Sequence, residues 1–197
     1  MKTITITIHD RPQYLIRLLE SLVKNDLTGW DIYAAIEPTP IISEQIALLQ
    51  KYLPDCHTII NKHILGVTLN PFNILSRVFN QEGSEVNIYL EEDLIVSPDI
   101  CQMADWYASI EDESACLCFC NIGKVEIDHI NSNLPHSCLF YGNEAMTLSG
   151  GGRGFSALGV VIKRSDWKQD FEGNWFNTKR GWDWSIHEHL VRVDKKI

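Results

Sequence analysis

The feature that most constrains this fold is an apolar run that stops at three consecutive acids, Val86-Asn87-Ile88-Tyr89-Leu90-Glu91-Glu92-Asp93. A β-branched apolar segment of this length reads as a buried strand, buried on both faces in the manner of a parallel sheet. Three like charges at its end repel one another and lose hydration, a cost that a divalent cation or a cationic ligand offsets. Ligands of open α/β sheets bind beyond the carboxyl ends of the strands, so the position suits a site. The competing reading is a solvated acidic turn leading into the helix that Ser97-Pro98-Asp99 starts.

The chain upstream supplies the rest of such a sheet. Thr3-Ile4-Thr5-Ile6-Thr7-Ile8-His9 alternates strictly and predicts a strand. Asp10 is placed to cap the next helix, Pro12 suits its first turn, and Leu15, Leu18, Leu19, Leu22 and Val23 share one helical face. Further strands are expected at Trp30 to Ile36 and Cys56 to Asn61, with a helix over Ser43 to Tyr52 between them. A βαβαβ start implies a parallel sheet with helices on its faces. It is half of a nucleotide-binding Rossmann-like unit, yet neither G-x-G-x-x-G after the first strand nor G-x-x-x-x-G-K-[ST] is present. A helix is expected from Asn70-Pro71 to Phe79, and another from Pro98 to Ile110.

At 197 residues the chain suits one domain, with a nucleotide-binding half at 1–95 and an acceptor-side half at 96–197. A formal charge of -9 argues against nucleic acid as a main partner, since phosphate backbones select basic faces. No apolar run approaches the ~20 residues a membrane span needs, and the alternating N-terminus reads as a strand and not as an export signal. Six cysteines without such a signal read as free thiols. Cys116, Cys118 and Cys120 alternate as on one strand face, and their spacing does not match a zinc site.

The second half carries two further motifs. Ser149-Gly150-Gly151-Gly152-Arg153-Gly154, before the apolar Phe155 to Ile162, permits a sharp turn or close approach to a ligand; the competing reading is a flexible connector. Residues 121–147 read as long loops or a short hairpin. Gly181-Trp182-Asp183-Trp184 opens the last helix, with Asp183 in its first turn. A carboxylate there is favoured by the helix dipole, and against an apolar wall it also suits a general base.

Tyr89-Leu90-Glu91-Glu92-Asp93-Leu94 with Ser97-Pro98-Asp99 resembles the E-D-D-L-x-x-x-P-D signature of GT-A glycosyltransferases, in particular the N-acetylglucosaminyltransferase I family. In the same order, His9-Asp10-Arg11 resembles that family's C-D-R, Phe155-Ser156-Ala157-Leu158-Gly159 its P-G-L-G-W turn, and Trp182-Asp183-Trp184 its W-D-D-W. The resemblance implies a GT-A fold, a Rossmann-like, mostly parallel sheet with helices on both faces. It implies an inverting, metal-dependent hexosyl- or N-acetylhexosaminyltransferase that uses a nucleotide-diphosphate sugar, UDP-linked by preference, and a hydroxyl acceptor such as a glycan. Asp93 then ligates Mn²⁺ or Mg²⁺, while Asp10, Arg11, Glu37, Glu91, Glu92 and Arg153 contact the donor. Asp183 is the base, and Trp182 and Trp184 stack on sugar faces or belong to the core. Glu92 departs from the family's Asp, and the motif around Trp182 holds a single Asp preceded by Gly181. The chain stops at Ile197, where the family continues, so it reads as a minimal cytoplasmic, microbial form. His187 and His189 lie two apart on a helix, do not share a face, and read as a solvated surface. The alternatives are a sugar-nucleotide nucleotidyltransferase, which the His9-Asp10-Arg11-Pro12 loop does not favour, and a catalytically silent sugar-nucleotide or glycan-binding module.

Overall fold

The computed structural model describes residues 1–111, 114–119, 155 and 158–195. The glycine-rich segment with Arg153, residues 121–147 and Cys120 lie outside them, as do Ser156 and Ala157.

Strands β1 (Lys2–Ile8), β2 (Trp30–Ile36), β3 (His57–Ile60) and β4 (Val86–Glu91) alternate with helices α1 (Pro12–Leu22), α2 (Ile42–Tyr52) and α3 (Gly66–Asn80). Helix α4 (Ile100–Ser109) follows, then β5 (Leu117–Cys118), β6 (Val160–Lys163), a run of short helical turns over 164–174, and helix α5 (Trp182–Arg192). The sheet order is β3-β2-β1-β4-β6-β5. The first four strands are parallel, and β6 runs antiparallel to both β4 and β5. Strand order therefore reverses between β1 and β4, which opens a crevice at their carboxyl ends.

The Thr/Ile alternation of β1 sorts two kinds of interior, not inside from outside. Ile4, Ile6 and Ile8 pack with Leu15, Leu18, Leu19 and Leu22 of α1, Leu49 of α2 and Ile100 and Met103 of α4. The opposite face is also covered, by Ile74, Leu75, Val78 and Phe79 of α3 and by Trp182, Ile186 and Leu190 of α5. Thr3 and Thr5 are buried beneath it and join Asn87 in a hydrogen-bonded ladder, Thr5 Oγ1 to Asn87 Oδ1 at 3.0 Å and Asn87 Nδ2 to Thr3 Oγ1 at 2.8 Å. Buried polar groups are tolerated when they satisfy one another in this way.

Three local expectations are corrected. Helix α3 starts at Gly66, one turn before Asn70, with Pro71 inside it. The carbonyl that Pro71 leaves unpaired belongs to Val67, whose side chain is 82% exposed, so water reaches that turn. Asp10 does not cap α1; Arg11 is the N-cap residue, and Asp10 Oδ1 pairs with His9 Nδ1 at 2.9 Å. The cysteine strand is limited to Leu117–Cys118 among the described residues. Cys56, Cys101, Cys116 and Cys118 are free, and burial pushes the Cys56 and Cys101 thiols up to about 12. No helix among the described residues is long and apolar enough to cross a membrane.

Candidate active site

Parallel pairing of β1 with β4 sets Thr7 opposite Glu91, so the residues just past both strands meet in the crevice. His9 N donates to Glu92 Oε2 at 2.9 Å, and Arg11 Nε donates to Glu92 Oε1 at 2.9 Å. Arg11 Nη1 reaches on to Asp93 Oδ2, also at 2.9 Å. The three acids consequently do different work. The Glu92 side chain is 2% exposed and both its oxygens are engaged, so the direct donor contact expected of it gives way to a brace that fixes His9 and Arg11. Asp93 is the outer carboxylate, and its Oδ1 takes no hydrogen bond among the described residues. The two carboxylates hold the Arg11 guanidinium above its usual range, Glu92 first.

Glu91 faces the other side of the strand end. Its Oε1 accepts the Tyr89 phenol at 3.1 Å, and that phenol in turn accepts the Thr7 hydroxyl at 3.0 Å. Burial raises the Glu91 carboxyl, and the charges of Asp93 and Asp183 push in the same direction. The start of α5 lies beside this strand end, with the ring of Trp182, the residue before Asp183, 5.7 Å from that of Tyr89.

Helix α5 is brought there by aromatic packing. Trp182 is buried and stacks on Trp175 with ring centres 4.2 Å apart and planes 2° from parallel. Its ring also meets the edge of Tyr89 at 5.7 Å. Trp182 is therefore core, whereas Trp184 is 46% exposed with the Arg180 guanidinium 5.3 Å from its ring centre. Gly181 has φ +139°, and a Cβ there would lie 2.7 Å from Asp183 Oδ1. Glycine thus lets the Asp183 side chain fold back over the helix start. Ser185 Oγ closes the turn, accepting from Thr178 N at 3.0 Å and donating to the Gly181 carbonyl at 3.1 Å.

Glu37 is a structural anchor. It is 1% exposed, and its carboxylate accepts from Leu65 N at 3.0 Å, Gly66 N at 2.8 Å and Asn61 Nδ2 at 3.3 Å. This neutralises the start of α3 in the way a carboxylate at a helix N-terminus does and leaves no exposed oxygen for a nucleobase. The two histidines correct the expectation of a solvated face. His189 Nε2 pairs with Asp170 Oδ1 at 3.1 Å, and His187 Nδ1 accepts from Phe155 N at 3.3 Å. Asp10 and Arg11 stay on the open side of the crevice, with side chains 54% and 42% exposed. The roles of Tyr89, Thr7, Gly181 and Arg180 were not read from the sequence. Tyr89 carries one legible signal, since it sits two residues before Glu91 and so on the same strand face.

The described residues contain no group of three or more His, Cys, Asp or Glu side chains arranged to hold a metal. The donors available to a cation are Asp93 and, less exposed, Glu91. A small oxygen-only set of one or two carboxylates fits Mg²⁺ or Mn²⁺ when substrate phosphates and water complete the shell.

No family model matches the chain, and no curated protein matches it. Solved structures do. Mannosyltransferase PcManGT from Pyrobaculum calidifontis, in complex with GDP-Man and Mn²⁺, superposes with a TM-score of 0.61 at 12% identity, over 85% of this chain and 46% of that one. The 1–349 fragment of S. aureus TarS, in complex with UDP-GlcNAc, gives 0.63 at 15%, over 96% and 54%. Galactosyltransferase LgtC, in complex with donor and acceptor sugar analogues, gives 0.58 at 10%, over 96% and 70%. The chain spans about half the length of the first two. The fold is the GT-A fold of nucleotide-diphospho-sugar transferases. Identities this low establish the fold alone.

Proposed function

We propose that this chain is an inverting glycosyltransferase that moves a sugar from a nucleotide-diphosphate donor, UDP-linked by preference, to an acceptor hydroxyl. The observation that carries the reading is the meeting, at one sheet crevice, of an outer carboxylate paired with an arginine and a second carboxylate on a helix start. Asp93, with Glu91 behind it, holds Mn²⁺ or Mg²⁺. When bound, the ion supplies Lewis-acid neutralisation of the diphosphate leaving group. Arg11 offers its Nη groups to the diphosphate in bidentate fashion, and Asp10 lies beside it for the donor. Arg153 belongs to the same donor role by sequence.

Asp183 takes the proton from the acceptor hydroxyl, whose oxygen attacks the anomeric carbon in line as the bond to the diphosphate oxygen breaks. One displacement inverts the configuration. A general base of this kind contributes ~10²–10⁴-fold to the rate. Trp184 gives the acceptor sugar an exposed aromatic face. The free thiols Cys56, Cys101, Cys116 and Cys118 support a reducing, cytoplasmic setting.

The test is calorimetric titration with UDP, GDP, CDP and their sugars, each with Mn²⁺ and with chelator. Metal-dependent binding of one nucleotide, abolished by Asp93→Ala, is the expected result. Absence of binding to every one of them overturns the reading. Binding without turnover under any acceptor would make the chain a sugar-nucleotide-binding module.

A further inference from the structure

We infer that Arg11 is the resident counter-ion of the cation position, and that a nucleotide diphosphate draws it away, so that metal and nucleotide bind cooperatively. The inference rests on the reading above for the identity of the two ligands.

The geometry has a fixed end and a loose end. Arg11 Nε is held at 2.9 Å by a carboxylate that is 2% exposed, so this end stays wherever Glu92 is ionised. The Nη1 end holds Asp93, which is 30% exposed, at 2.9 Å. Exposed ion pairs contribute little and exchange readily. The guanidinium also lies 5.5 Å from the Tyr14 ring centre, a second resting place on the open side.

Two consequences follow from charge alone. A divalent cation on Asp93 must share a carboxylate whose Oδ2 already holds Arg11 and sit beside that positive charge. A diphosphate, which takes planar bidentate hydrogen bonds from guanidinium, offers Arg11 a better partner than one aspartate oxygen. Binding of the diphosphate thereby frees Asp93, and the metal in turn adds a contact to the diphosphate. Linkage makes the effect reciprocal, with the same factor on both affinities.

The experiment is titration of Mn²⁺ into the full chain, alone and with saturating UDP, for wild type, Arg11→Gln and Arg11→Lys. Gln keeps a donor for Glu92 and removes the charge; Lys keeps the charge. Wild type is expected to bind Mn²⁺ at least ~10-fold more tightly with UDP present. Arg11→Gln should bind Mn²⁺ alone about tenfold more tightly than wild type, with the UDP effect smaller by about the same factor but not abolished, since the metal still contacts the diphosphate. Arg11→Lys should stay near wild type for metal alone.

A folded Arg11→Gln protein with wild-type metal affinity and an unchanged UDP effect overturns the inference. Should loss of the Glu92 partner prevent folding, Arg11→Gln combined with Glu92→Gln leaves no lone buried charge, and its UDP effect decides the matter by the same criterion. The two failures separate cleanly. If wild type binds no nucleotide with or without Mn²⁺, the functional reading falls, while the metal-alone comparison still decides whether Arg11 guards Asp93.

Discussion

The Tyr89 phenol donates to Glu91 Oε1 at 3.1 Å while its ring edge meets Trp182 at 5.7 Å, one residue before Asp183. A single fully buried side chain thus connects the acidic end of β4 with the helix that carries the proposed base. Tyr89→Phe keeps the ring packing and removes the hydroxyl between Thr7 and Glu91. Each such hydrogen bond contributes ~1 kcal/mol net, so the variant should lose about 1–2 kcal/mol in urea unfolding. Its KM for the donor should rise more than its kcat falls, since Glu91 and not Asp183 loses its support. Equal effects on the two constants would point to a disturbance of α5 instead.

Glu37 separates the family resemblance from the structure most directly. The resemblance implies a contact from Glu37 to the donor's uracil, which predicts weaker nucleotide binding with little change in stability. The anchor observed here predicts the reverse, because Glu37→Ala leaves the Leu65 and Gly66 amides without the carboxylate they share. Donors left unpaired cost ~1–3 kcal/mol each when buried, and these two are partly buried, so the lower end applies to each. Denaturant unfolding should show a loss of about 2 kcal/mol, with nucleotide affinity near wild type wherever the variant is folded. A variant of wild-type stability that binds nucleotide poorly would return Glu37 to the base contact.

These two cases also mark what the sequence could convey. Periodicity located the strands of the parallel half and the acidic end of β4, but the pairing of β1 with β4, which sets His9 and Arg11 against Glu92, belongs to a sheet order that no local pattern carries. The identities of exposed and buried members did not follow. Trp182 and Trp184, two apart on a helix, must point ~200° from each other, so one faces in and one out. The choice is made by Trp175 and Tyr89, which are far away in sequence. Glu92 is more deeply buried than Glu91 because its carboxylate is closed in by His9 N and Arg11 Nε just past the end of β1. Glu37 reads as an open acid at a strand end until the amides of Leu65 and Gly66, nearly thirty residues on, are seen to close over it.

Gly181 gives a test of the base that does not remove the carboxylate. At φ +139°, with a Cβ 2.7 Å from Asp183 Oδ1, Gly181→Ala must shift either the backbone or the Asp183 side chain. Because Trp182 holds the rest of α5 in the core, the variant should remain folded while the carboxylate moves. We expect kcat to fall ~10–100-fold, against ~10²–10⁴-fold for Asp183→Asn. A fully active Asp183→Asn enzyme would remove Asp183 from the mechanism, and a fully active Gly181→Ala enzyme would show that its position is not critical.

Asp166 makes stability depend on pH. It is 8% exposed in the helical run that packs against α5, and its Oδ2 has no hydrogen-bond partner among the described residues. Burial raises its carboxyl to about 6; Lys195 and Lys163 oppose the rise, Asp170 adds to it, and the Tyr107 hydroxyl opposes it. An unfolded aspartate titrates near its ordinary 3.8, so the folded chain holds the proton more tightly. The sign is therefore the reverse of a salt-bridged acid. Stability from this group is fully present below about 4 and is lost as pH rises to about 6. The loss is at most ~3 kcal/mol, after which it is constant. Urea unfolding at pH 5 and pH 7 should show wild type more stable at pH 5 than the Asp166→Asn variant's own pH dependence accounts for. Asn lacks the charge, so the variant should gain on wild type at pH 7 and match it more nearly at pH 5. The Asp170 pairs with His189 and with Lys195, at 3.1 Å and 2.9 Å, contain no Asp166 atom and are common to both proteins. Their coupling to the Asp166 charge is therefore part of the difference the comparison reads. A difference between the two proteins that does not change with pH would assign the Asp166 effect to packing and not to its proton.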